Sequence, residues 1–375
     1  QRVECSGHPM LSVRRHAAQR LTLERVFASP ALTGAVPRAL KLSPDGKLLT
    51  MLRPRASDRE RYDLWALDTN SGAWRMLVDS QKVGSGAALS EAEKMQRERA
   101  RIGGLKGIVN YDWNPDSRSL LVPLDGDLYL AGIDGKVTRL TNSKEGELNP
   151  AISPKGKYVS FVRDQKLWVG PVGAAAKAIT PGGGTIHYGE SEFVAQEELD
   201  RLTGYWWSQD DARLAVEWYD EGNVKTVTRT SIGTEGTTTF DQRYPAAGTA
   251  NIVPHLIIID PRGGAKVEAD LGADKDIYLA RVDWARDGRT LYAQILNRNQ
   301  DRLDMRAIDP ATGKSRILFS EKAAPHHWVN LAGYKWLDDN SLLWTSERSG
   351  TAQLYRWRDG KWTQLTRMAG GYRIA

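Results

Sequence analysis

A single cysteine, Cys5, occurs in the 375 residues, which excludes an intrachain disulfide and any zinc site built on cysteines. Long apolar runs are missing as well. The longest stretches are short and strand-like, such as Leu256-Ile257-Ile258-Ile259, well under the ~18 residues of a membrane-crossing helix. No charge of one sign dominates: 52 Lys plus Arg face 46 Asp plus Glu, for a net charge of +6. The densest basic patch, Arg97, Arg99 and Arg101, is interleaved with Glu93 and Glu98. A nucleic-acid partner calls for a larger, concentrated basic face, so none is expected. A Gly-x-Ser-x-Gly elbow is absent, and with it any credible serine nucleophile. Pro181-Gly182-Gly183-Gly184 lacks the following helix that a phosphate-binding loop needs. His326 and His327 are adjacent and lack the His-Glu-x-x-His spacing of a zinc pair. No metal or cofactor is expected.

What is present is an ordinary globular composition, 41% hydrophobic and 26% charged, in a chain long enough for two or three domains or for one large repeat architecture. A repeat decides between them. A turn followed by a short apolar strand appears six times: Ser43-Pro44-Asp45-Gly46-Lys47, Asn114-Pro115-Asp116-Ser117-Arg118, Ser153-Pro154-Lys155-Gly156-Lys157, Ser208-Gln209-Asp210-Asp211-Ala212, Ala285-Arg286-Asp287-Gly288-Arg289 and Leu337-Asp338-Asp339-Asn340-Ser341. Pro before Asp-Gly suits a type I turn with a residue at positive φ behind it, and the alternating residues that follow suit a half-buried strand. Further strands follow most copies, as in Asp63-Leu64-Trp65-Ala66-Leu67 and Lys166-Leu167-Trp168-Val169. Three or four short antiparallel strands per unit, repeated, predict an all-β fold of the β-propeller type, with about six blades.

Two insertions interrupt the repeat. Residues 90–104 predict a helix: Ser90 is a good N-cap, Glu93 occupies the capping-box position, basic residues crowd the last turn, and Gly103-Gly104 would end it. On spacing alone this is a solvated surface helix laced with ion pairs. The second insertion carries Glu190-Ser191-Glu192-Phe193-Val194-Ala195-Gln196-Glu197-Glu198. Adjacent carboxylates repel, so Glu197 and Glu198 either stay hydrated or face a cation such as a peptide α-ammonium.

Phe193-Val194-Ala195-Gln196-Glu197-Glu198, followed by Tyr205-Trp206-Trp207-Ser208, resembles the glutamate-pair segment of the dipeptidyl peptidase IV family. Arg243-Tyr244-Pro245-Ala246-Ala247-Gly248, Asp276-Ile277-Tyr278-Leu279-Ala280-Arg281-Val282 and Ser346-Glu347-Arg348-Ser349-Gly350 look like its bacterial members. The likeness runs from about Leu21 to about Thr366, so residues 21–367 are assigned to an incomplete propeller between an unmatched segment 1–20 and an unmatched tail 368–375.

The resemblance implies an eight-bladed propeller capping an α/β-hydrolase domain with a Ser-Asp-His triad, in a serine exopeptidase that releases N-terminal dipeptides, usually after proline. It assigns Glu197 and Glu198 to binding peptide N-termini. It also implies an assisting arginine. Arg97 and Arg101 on the inserted helix are the candidates, ahead of Arg99, with Arg55 as another. A homodimer of the full-length form and an exported, mostly periplasmic location complete what it implies. Because the family continues past residue 366 with two more blades and the hydrolase, a truncated chain, inactive alone, is expected. The competing reading is a non-catalytic propeller that serves as a protein-binding scaffold.

Overall fold

The computed structural model describes residues 21–28, 32–233, 236–331, 333–372 and 374. Segment 1–20, with Cys5, lies outside the described residues. All six predicted turns close as their composition requires. In each, the fourth residue donates its backbone N–H to the carbonyl of the first. That fourth residue, Gly46, Ser117, Gly156, Asp211, Gly288 or Asn340, has a positive φ between 59° and 73°. Glycine, asparagine and aspartate tolerate this left-handed region best, which is why Asp211 and Asn340 keep the turn without a glycine.

Each turn joins the first two strands of a blade. The first blade comprises Arg38–Leu42, Leu48–Pro54, Arg61–Asp68 and Trp74–Val78, with Lys106–Gly107 added in parallel to its third strand. The second is Asp112–Trp113, Ser119–Leu124, Asp127–Gly132 and Val137–Arg139, and the third Leu148–Ile152, Tyr158–Arg163, Lys166–Pro171 and Lys177–Ala178. The fifth is Ile277–Trp284, Leu291–Asn297, Arg302–Ile308 and Ser315–Lys322, and the sixth Tyr334–Trp336, Leu342–Ser346, Gln353–Arg358 and Lys361–Gln364.

The fourth blade departs from this plan. Its first strand is split into Ile186–Tyr188 and Tyr205–Trp207, both paired with Leu214–Asp220. Between that second strand and the third, His255–Ile259, a two-stranded arm projects, made of Thr226–Gly233 and Gly236–Arg243. Lys266–Glu268 closes the blade.

Apolar residues on alternating faces bury each blade against its neighbours. Leu120 and Val122 join the core shared with the first blade, whereas Leu121, between them in sequence, joins Phe161 and Val159 of the third. Burying such a side chain contributes about 1.5–3 kcal/mol, and the period of two lets one strand supply two cores. The result is a stack of six blades around a propeller, as the repeat predicted. No helix among the described residues is long and apolar enough to cross a membrane.

Candidate functional site

The split strand of the fourth blade positions the acidic segment. Tyr188 lies opposite Trp218 and Tyr205 opposite Val216, so the two halves form one interrupted strand and residues 189–204 leave it between them. The two ends of this excursion are laced together. Gly204 N–H donates to the Gly189 carbonyl, Gly189 N–H to the Glu217 carbonyl, and Glu217 N–H to the Gly204 carbonyl. On the excursion sits a short helix, Phe193–Glu198. Its N-cap is Glu192, whose carboxylate accepts the Val194 and Ala195 N–H groups at 2.6 and 2.8 Å.

A buried ion pair underlies the helix. Arg201 donates to Glu217 with both terminal nitrogens, and its Nη1 also donates to Ser191 Oγ at 2.8 Å and the Thr203 carbonyl at 2.9 Å. One guanidinium thereby ties both feet of the excursion to the strand beneath. Its backbone N–H donates to the Ala195 carbonyl at 3.0 Å. Burial pushes the Glu217 carboxyl up, against the pull of Arg201. It pushes Glu192 up to about 7, with the Glu217 charge adding to the effect and the helix N–H groups opposing it. At the other foot, His187 lies between Glu190, 3.2 Å from Nδ1, and Glu221, 3.4 Å from Nε2, and stacks on Tyr219.

The first insertion forms the helix Glu91–Arg99 with the predicted capping box at Ser90 and Glu93. It ends earlier than Gly103-Gly104. Ile102 N–H donates to the Arg97 carbonyl and Arg101 N–H to that of Glu98, with Arg101 at φ 57°. This is a Schellman end with arginine where glycine usually sits.

That ending sorts the arginines. Arg101 becomes the left-handed residue behind the helix and is exposed. Arg97 turns inward, donating to the Leu105 carbonyl at 3.3 Å, and burial lowers its pKa. Arg55 stays in the first blade, held by Asp63, Asp79 and Gln81. The arginine that reaches the acidic pair is Arg99, ranked behind Arg97 and Arg101 on sequence. Its Nε is 3.4 Å from Glu197 Oε1, its Nη1 donates to Gln196 Oε1 at 2.7 Å, and its guanidinium lies 5.0 Å from the Phe193 ring centre. The contact is sheltered, with 12% of the Arg99 side chain and 24% of the Glu197 side chain exposed.

Glu198 is exposed, and its carboxylate makes no hydrogen bond or ion pair among the described residues. One carboxylate is thus balanced by a guanidinium while its neighbour remains free, so the pair presents a net charge of −1 and several open acceptor positions. Such a site suits one cation with several donors.

The sequence profile of the N-terminal region of dipeptidyl peptidase IV (DPP IV) matches residues 114–369. The chain belongs to the DPP IV N-terminal-region family. Mouse dipeptidyl peptidase 8 is 27% identical over 288 residues, covering 64% of this chain and 31% of the mouse protein. Human dipeptidyl peptidase 8 is 26% identical over the same length and the same shares. The chain therefore spans about a third of the length of these curated relatives. The crystal structure of Porphyromonas gingivalis dipeptidyl peptidase 4 superposes with a TM-score of 0.70 at 20% identity, over 88% of this chain and 47% of that one. At that identity the likeness carries the fold. Several residues that build the candidate site here, Arg99, Arg201 and Glu217, carry no motif of their own. The family resemblance pointed to an arginine on the inserted helix, with Arg99 placed behind Arg97 and Arg101, and nothing in the sequence pointed to the other two.

Proposed function

We propose that this chain is the substrate-recognition propeller of a DPP IV-like serine exopeptidase that releases N-terminal dipeptides, with Xaa-Pro preferred. Glu197 and Glu198 bind the α-ammonium of the peptide and Arg99 assists. The hydrolysis itself belongs to a Ser-Asp-His domain outside these residues, and the complete enzyme works in the periplasm or is secreted.

The observation that carries this reading is the sheltered Arg99–Glu197 contact beside an unpaired Glu198. An α-ammonium has three donors and one positive charge. The pair has one uncompensated negative charge and free oxygens, so the ligand neutralises what the protein leaves open. A peptide with a blocked amine, or one running on past this point, has neither the charge nor the donors, which limits cleavage to chain ends. Arg99 serves two ends in this arrangement. It lowers the repulsion between adjacent carboxylates, and it keeps a donor near the place where the first peptide carbonyl of a bound substrate would lie.

The test is calorimetric titration of the 375-residue chain with Gly-Pro-Ala and with its Nα-acetyl form. A charged hydrogen bond is worth about 1.5–3 kcal/mol, so the free amine should bind about tenfold to a hundredfold more tightly. Glu197→Gln and Glu198→Gln should each remove most of that preference. Equal binding of the two peptides, or a preference indifferent to both glutamates, would leave the protein-binding scaffold as the better account.

A further inference from the structure

We propose that Asn149 is a positioning residue that holds the Glu91–Arg99 helix in register with the Phe193–Glu198 helix, and so sets Arg99 against Glu197. The functional part of this inference rests on the reading above.

The first strands of the first and third blades carry the same irregularity. In the first blade Arg38 pairs with Leu52 and Lys41 with Thr50, so two residues oppose one. In the third, Leu148 pairs with Val162 and Ala151 with Ser160, giving the same count. The leading residue of each bulge is left-handed, Ala39 at φ 50° and Asn149 at φ 49°. In both cases a tyrosine from the next blade donates its hydroxyl to the bulged carbonyl: Tyr111 to Ala39 and Tyr205 to Asn149. A tryptophan two residues further on reaches a hydroxyl of the bulged blade, Trp113 to Thr50 and Trp207 to Ser160. The bulge and its clamp are therefore a repeated backbone device, and alanine serves it in the first blade. Nothing in that device requires a side-chain amide.

The amide of Asn149 is used elsewhere. Its Nδ2 donates to the Leu202 carbonyl at 2.9 Å, and its Oδ1 accepts from Gln96 Nε2 at 2.8 Å. The orientation follows from the partners, because a backbone carbonyl can only accept. Leu202 belongs to the excursion that carries the glutamates. Gln96 lies three residues before Arg99, on the same side of the helix. Arg99 touches Phe193, Gln196 and Glu197, all on the excursion. Asn149 is thus a rigid bridge, fixed to the third blade, from which both halves of the site are measured. Gln196, which accepts from Arg99, continues the link by donating to the Ser191 carbonyl at 2.6 Å.

Asn149→Gly tests this directly, since glycine adopts the left-handed conformation freely and keeps the bulge, while the amide is lost. Its melting temperature should stay within a few degrees of wild type, and its preference for Gly-Pro-Ala over the Nα-acetyl peptide should fall about tenfold. Gln96→Ala should cause a similar fall, and the double variant little more, because both substitutions break one link. Asn149→Asp keeps the acceptor for Gln96 but loses the donor to Leu202, so it should fail as glycine does. Additive losses, or an unchanged preference in Asn149→Gly, would overturn the proposal. Amide hydrogen exchange across Glu91–Arg99 supplies a readout without ligand: it should quicken about tenfold in Asn149→Gly, and unchanged exchange would also sink the idea. A wild-type chain with no amine preference would refute the peptide-recognition reading alone, and exchange would still decide the role of Asn149.

Discussion

Removing the Arg201 side chain would leave Glu217, which is fully buried, as a carboxylate without its counter-ion. Breaking a buried pair from one side costs about 3–5 kcal/mol, more than the intact pair contributes over an apolar replacement. Arg201→Met should therefore lower the midpoint of urea unfolding sharply, and adding Glu217→Leu should restore part of the loss. A double variant no better than the single one would mean that Arg201 matters for the excursion and not for Glu217. At this scale the sequence was partly readable. Two adjacent glutamates with a tryptophan pair behind them pointed to the acidic half of the site. The identity of the arginine was not readable, because it depends on which face of the helix meets the excursion and on where the helix stops. Arg99 shares the face of Gln96 and reaches Glu197, whereas the left-handed Arg101 already lies behind the helix, before the expected Gly103-Gly104 ending. Asn149 gave no signal because its role follows from a bulge that no single residue announces.

The foot of the excursion that holds His187 carries a pH dependence. His187 is pushed up to about 9: its burial opposes the charge, but the hydrogen bonds to Glu190 and then Glu221 outweigh it. Arg243, 3.8 Å from Glu221, and the Tyr219 ring complete its surroundings. A histidine whose folded-state pKa lies above its unfolded value of about 6.5 contributes stability that is complete below that value and is lost as pH rises through the folded one. Between pH 7 and 10 the wild type should lose about a few degrees more of melting temperature than His187→Gln, measured by circular dichroism. Parallel melting curves for the two proteins over that range would refute the assignment. Elements with strong local signals were legible: the six turns, from Ser43 to Ser341, and the capped helix at Ser90. The short helix Phe193–Glu198 was not, since it has less than two turns and a glutamate as its N-cap where Ser, Thr, Asp or Asn is usual. The split of the first strand in the fourth blade was hidden for a related reason. Ile186–Tyr188 is too short to read as half of anything until its partner strand is known.

Across the whole molecule, each blade past the first buries one face against its predecessor, but the first blade exposes apolar side chains. Leu40 and Leu42, on one side of its first strand, are 57% and 58% exposed, and Trp74 of its fourth strand adds 43%. A surface of this kind favours self-association. Leu40→Ser with Leu42→Ser should reduce any concentration-dependent sedimentation of the chain while leaving its melting temperature within a few degrees. Unchanged sedimentation would place the adhesive surface elsewhere. The split strand has a different consequence. Tyr188 and Tyr205 re-enter the ladder only one partner residue apart, on either side of Glu217, and the backbone bonds among Gly189, Gly204 and Glu217 seal the junction. The ladder therefore closes whatever the length of residues 189–204, provided that Arg201 still meets Glu217. They behave as a cassette in a socket, so a different recognition element that keeps Arg201 and the buried Ala195 and Leu199 could be exchanged there, by descent or by hand, without shifting the strands of the propeller that holds it.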